Sequence, residues 1–212
     1  MTHGLSLRLL KLIDASEERQ RPNTQACANL VWALATMGHP AATAELVDPF
    51  CLRFASLIQH ADAKQRPNAQ EVANVLWALA TMGHPATAEM VAPICLHFSK
   101  LTPQTEAKQR PNEQNAANVL WALATMGYPA TAEVLDSVTK HFAQLIDSPI
   151  AKQRPNAQAV ANVVWALGTL KHTPFDDRLL DAFLAYFLVL LRSQDQRICP
   201  NAQNIANTLW AP

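Results

Sequence analysis

The sequence predicts an all-α chain, a right-handed α-solenoid of tandem helix pairs repeating every 44 to 45 residues. Three observations carry that reading. Tryptophan stands at 32, 77, 121, 165 and 210, at spacings of 45, 44, 44 and 45. The dipeptide Pro-Asn recurs at 22, 67, 111, 155 and 200 in step with it. The segment ANVLWALATMGHPATAE at 73–89 returns at 117–133 with one change. Near-repetition at a fixed period builds a stack in which each unit buries its apolar faces against its neighbours. Such a stack is more often a binding surface than a catalytic pocket.

The Pro-Asn dipeptide sets the boundaries within a single solenoid over 1–212. A half unit occupies 1–21, units one to four occupy 22–66, 67–110, 111–154 and 155–199, and a truncated fifth occupies 200–212. The opening MTHGLSLRLLKLIDASEERQRPN aligns in its second half with ASLIQHADAKQRPN, so it reads as the last helix of a preceding unit rather than as a removable leader.

Each unit's first helix begins at the Asn. Asn23, Asn68, Asn112, Asn156 and Asn201 are placed as N-caps, and Glu71 can close a capping box on Asn68. The helix runs to Gly38, Gly83 or Gly127, residues suited to a left-handed C-terminal position. Lys171 holds that register in unit four, with Gly168 three residues earlier, which predicts a frayed or differently packed end.

On a helical wheel Val72, Ala73, Leu76, Leu79 and Ala80 sweep a wide apolar arc, as a helix sandwiched between neighbours requires. Gln70, Asn74, Trp77 and Thr81 share one narrow stripe. The same types recur as Gln25, Asn29, Trp32, Thr36, as Gln114, Asn118, Trp121, Thr125 and as Gln158, Asn162, Trp165, Thr169. Two accounts fit this constancy. The amides bond across repeats while the rings fill grooves between helices, or the stripe holds a ligand.

The second helix follows HPATAE. Pro49 and Pro93 fall several residues into it, where proline breaks or bends a helix, and Ser137 and Asp181 stand at the aligned place in units three and four. Two helices and a loop per unit are the preferred division.

Composition narrows the function classes. Half of the residues are hydrophobic, and 17 basic side chains balance 17 acidic ones, so no overall field draws in nucleic acid or membrane. No stretch reaches the ~20 apolar residues of a membrane span. The cysteines at 27, 51, 95 and 199 form no CxxC pair and no zinc spacing, and read as reduced thiols. The seven histidines are scattered and assemble no nucleophile with a base, so no enzymatic activity, cofactor, metal or small-molecule substrate is expected. His39, His84 and Tyr128 share one aligned place, an exchange that suits surface or capping use.

Local arrangement supplies what net charge does not. The segment before each first helix places Arg19, Lys64, Lys108, Lys152 and Arg197 in one basic column and Arg21, Arg66, Arg110 and Arg154 in a second. Beside helix N-termini these are suited to phosphate contacts; pairing with the acidic column Glu45, Glu89, Glu133 and Asp177 is the plainer account. The fourth helix place varies as Ala26, Glu71, Asn115, Ala159 and Asn204, the kind of variation a modular reader uses to select bases.

The repeated ANLVWALATMG, ANVLWALATMG, ANVVWALGTL and ANTLW resemble the octotricopeptide repeats and the related helical repeats of FAST kinase-like proteins, over nearly the whole chain. That resemblance implies a non-enzymatic, single-stranded RNA-binding role in RNA processing, stability or translation within a chloroplast or mitochondrion. The pattern is also similar to the armadillo-like repeats of some large effectors from plant-pathogenic bacteria, which implies a protein or peptide-binding scaffold. There the Asn amides would grip a peptide backbone and the Trp rings would cover its side chains.

Overall fold

The computed structural model describes residues 2–39, 42–85, 87–101, 110–174, 178–193, 195 and 198–209. Ten α-helices follow in order: α1 (Thr2–Ile13), α2 (Thr24–Met37), α3 (Ala44–Leu57), α4 (Ala69–Met82), α5 (Ala88–Lys100), α6 (Glu113–Met126), α7 (Ala132–Ile146), α8 (Ala157–Thr169), α9 (Arg178–Leu191) and α10 (Ala202–Leu209). The even-numbered helices, here the A helices, are the first of each unit, and the odd-numbered ones, the B helices, are the second. Single 3-10 turns precede α2, α4 and α8. No helix among the described residues is long and apolar enough to cross a membrane.

The contacts repeat with the sequence. Each A helix packs on the A helix of the next unit, most extensively of all pairs, and each B helix packs on the next B helix. The chain is therefore an all-α protein with the repeating helix-pair contacts of a tandem arrangement. Alanine explains the close A-to-A approach: Ala73, Ala78, Ala117, Ala122, Ala161 and Ala166 are at most 2% exposed and hold the helices apart by a methyl group only. Leu76, Leu120 and Val164 are buried on the A helices, while Phe54, Phe98, Phe142 and Phe187 are buried one per unit on the B side. Phe142 meets Phe183 of the next unit edge to face, 5.6 Å between ring centres.

Every predicted N-cap is in place. The side chains of Asn23, Asn68, Asn112, Asn156 and Asn201 accept from the amide three residues on at 2.8–2.9 Å. At the other end Gly38, Gly83 and Gly127 adopt φ of 55°, 62° and 60°. Lys171 does not fray: it takes φ 51° and closes the same turn, its N–H donating to Gly168 O at 3.0 Å and His172 N–H to Leu167 O at 3.0 Å. That conformation is costly for a side chain bearing Cβ. The two bonds it satisfies, and the burial of the turn's partners, hold it there.

Pro49 and Pro93 lie inside continuous helices, so each unit has two helices. The carbonyls they leave unpaired belong to the first turn at Glu45 and Glu89, which are exposed and open to water. In α9 the register shifts by one. Phe183 and Phe187 occupy the buried places of Val138 and Phe142, so Ala182, and not Asp181, answers to Ser137.

Candidate functional site

The stripe predicted on the A helices lies on their outer face. Gln25, Gln70, Gln114 and Gln158 are exposed, and Asn74, Asn118 and Asn162 are half-buried beside half-buried Trp77, Trp121 and Trp165. Those three rings pack against the core with one side and leave the other open. Trp32 is 43% exposed. Trp77, Trp121 and Trp165 thus have a packing role as well as an accessible edge. The amides do not bond across repeats: among the described residues none of these Asn or Gln side chains makes a hydrogen bond to protein. α10 continues the column with Gln203 exposed and Asn207 half-buried. The result is a row of carboxamides without a hydrogen-bond partner in the fold, with Asn29, Asn74, Asn118 and Asn162 each one turn before a tryptophan.

The basic columns have partial structural work. Arg21, Arg66 and Arg154 each donate Nε–H to the carbonyl six residues earlier, on Ala15, His60 and Ser148, at 2.7, 2.7 and 2.8 Å. This staples the loop that enters the next A helix, and Arg21 also pairs through Nη1 with Glu18 at 3.8 Å. Arg110 is engaged as well. Arg19 is exposed and paired with Glu17, at 2.6 Å. Lys64 and Lys152 are exposed and have no ion pair among the described residues, whereas Lys108, Arg197 and the acidic-column residue Asp177 lie outside those residues. The anticipated pairing with Glu45, Glu89 or Glu133 is not formed among the described residues.

The variable fourth place is occupied with capping. Glu71, Asn115 and Asn204 accept from the backbone N–H of Asn68, Asn112 and Asn201 at 3.0–3.1 Å, completing reciprocal boxes. Asn115 and Asn204 are 7% exposed and Ala159 is 6% exposed, while Ala26 is on the surface. At α4, α6 and α10 the N-cap amide is thereby spent on the box.

Two bonding columns were not foreseen. Arg53, His97, His141 and Tyr186, at aligned places on the B helices, all bond the carbonyl of the Pro-Asn proline: Pro22 at 3.2 Å, Pro67 at 2.7 Å, Pro111 at 2.9 Å and Pro155 at 3.0 Å. Burial lowers the pKa of His97 and His141, opposed by the bond to the proline carbonyl. Arg53 also pairs with Glu18, and that bond holds the Glu18 carboxyl below its usual range.

The second column joins consecutive units. His84 Nε2 meets Asp48 Oδ1 at 2.6 Å, and His172 Nε2 meets Asp136 Oδ1 at 2.8 Å. The aligned pair between them is Tyr128 opposite Ala92, so the histidine is replaced where the carboxylate is missing. The aligned His39 is engaged too. Three thiols, Cys27, Cys51 and Cys95, are buried and pushed up to about 12, which makes them packing groups. Among the described residues no group of three or more His, Cys, Asp and Glu is placed to hold a metal ion.

No model of a known protein family matches the chain, and no curated protein matches it. The functional reading rests on the repeated side chains themselves.

Proposed function

We propose that the chain is a right-handed α-solenoid that binds an extended peptide along the A-helix stripe, without chemistry. The observation that carries this is the row of carboxamides with no partner in the fold, repeated beside open indole faces at Asn74, Asn118 and Asn162. A carboxamide offers both donor and acceptor, as a peptide unit does, and an indole face covers apolar or cationic side chains. Packed helices lie ~8–10 Å apart. The three intervals from α2 to α8 therefore give a track of about 24–30 Å, roughly eight residues of extended chain at ~3.3 Å each.

The single-stranded RNA reading draws support from Lys64 and Lys152, exposed and without an ion pair among the described residues. It is weakened by the arginines whose Nε is committed to loop carbonyls and by the fourth-place residues committed to caps. Selection from a random phage-displayed peptide library, run beside binding to a pool of single-stranded RNA over a range of salt, separates the two. Recovery of related peptides supports the proposal. Salt-dependent RNA binding with no peptide recovered replaces it by the RNA reading.

A further inference from the structure

The rungs of the A-helix stripe have a spacing, and that spacing discriminates between conformations of an extended ligand. They repeat once per unit as Trp32, Trp77, Trp121 and Trp165, each with an asparagine one turn earlier, Asn29, Asn74, Asn118 and Asn162. The A helices pack directly on one another, through alanines that are at most 2% exposed. Successive rungs therefore stand at the ~8–10 Å separation of packed helix axes.

A β-strand returns a side chain to the same face every second residue, at ~6.6–6.8 Å, which falls short of the next rung. Three strand residues span ~10 Å but turn the side chain to the opposite face. A polyproline II helix has three residues per turn and rises ~3.1 Å per residue, so every third residue returns to one face at ~9.3 Å. Of these two conformations, it is the one that meets each rung with the same face.

The chemistry of the stripe fits the same ligand. Its four places are Gln, Asn, Trp and Thr in each of units one to four, so a charged anchor finds no counter-ion on it. A polyproline II segment makes no internal hydrogen bonds and keeps its carbonyls open to donors. The carboxamides of Asn74, Asn118 and Asn162 are such donors, without a hydrogen-bond partner among the described residues. Trp32 is 43% exposed, and the other three rings keep an accessible edge beside the core. Aromatic surfaces of this kind receive proline-rich segments, whose preset backbone lowers the ordering cost of binding.

We infer that the ligand of the stripe is a proline-rich segment in the polyproline II conformation. Proline at every third residue lies against Trp32, Trp77, Trp121 and Trp165 in turn, and the asparagine carboxamides donate to the ligand's carbonyls. The inference rests on the peptide reading above, and its test separates failure of one from failure of the other.

Isothermal titration calorimetry of the full chain reads it, with capped, uncharged peptides of ten residues. One peptide carries proline at places 1, 4, 7 and 10, with alanine and glutamine between; a second has the same composition with proline at places 1, 3, 5 and 7. The first should bind at least tenfold more tightly than the second. Asn118→Ala with Asn162→Ala should weaken the first at least tenfold, circular dichroism verifying that the variant keeps its helices. Equal affinity for the two spacings, or binding unchanged by the double substitution, overturns the inference. So does failure of the first peptide to bind while the random library yields peptides without a three-residue period, an outcome that leaves the peptide reading in place. No binding of any peptide, synthetic or selected, overturns both.

Discussion

The A layer and the B layer of the stack repeat in different ways. Each inner A helix buries eight residues and keeps nearly the same sequence, even on its open face, whereas α5 and α7 bury five each and vary widely. Variation in the B layer is compatible with one constant bond: Arg53, His97, His141 and Tyr186 share no chemistry beyond a donor that reaches a proline carbonyl. Packing therefore tolerates substitution where only geometry must be kept. The repeated carboxamides of the A face make no hydrogen bond in the fold that would demand their identity, whereas the indoles of Trp77, Trp121 and Trp165 pack against the core.

The largest expected effects come from the shared core. Phe142→Ala and Leu120→Ala each remove a side chain that is 0% exposed and should cost ~3–5 and ~2–5 kcal/mol respectively. Denaturant unfolding reads both, and a much smaller loss for Phe142 would show that the B layer contributes little to the stack. Next comes Trp77→Ala, at about 2 kcal/mol because the ring is only half-buried. Lys64→Ala, on the exposed loop, should change stability by no more than a few tenths. Equal midpoints for these two variants would remove the structural half of the Trp role.

Lys171→Gly should stabilise the protein by about 1 kcal/mol, since it relieves a left-handed residue and keeps both turn bonds. Thermal melting measures the sign directly. The B-layer bond has a pH signature. His97 and His141 are held neutral in the fold by burial, so the unfolded chain takes up protons first, near the ordinary value of about 6.5. Stability should therefore be full above that pH and fall as pH drops below it. His97→Gln with His141→Gln should flatten that slope, read from urea midpoints between pH 7.5 and 5.

Much of this was legible in the sequence because the repeat displays its own alignment. The Trp and Pro-Asn spacings announced the repeating helix pairs, and the Asn caps and glycine turns bounded the A helices. The details that escaped are those in which different residues perform one task. Asn115 and Asn204 complete capping boxes in place of the more familiar Glu, and Lys171 holds a turn that glycine makes elsewhere. The proline tether links residues about thirty positions apart through three kinds of side chain, so no motif announces it. The one-residue shift in α9 was hidden by the 45-residue step and emerged from which phenylalanines are buried. For the site, the wheel placed the four stripe residues on one face; only burial and bonding distinguished an open row of amides from a packed one.

The central claim, that the A face is built for an extended peptide, is tested most directly by replacing Asn74, Asn118 and Asn162 together with alanine. Unfolding and the affinity for a peptide selected on the wild type are then measured on the same sample. Side chains without a bond in the fold should change stability by no more than about 0.5 kcal/mol for surface substitutions of this kind. Loss of paired amides should weaken peptide binding at least tenfold, each bond contributing ~0.5–1.5 kcal/mol. Unchanged affinity in the folded variant, or a loss of stability large enough to account for the weakened binding, would contradict the account.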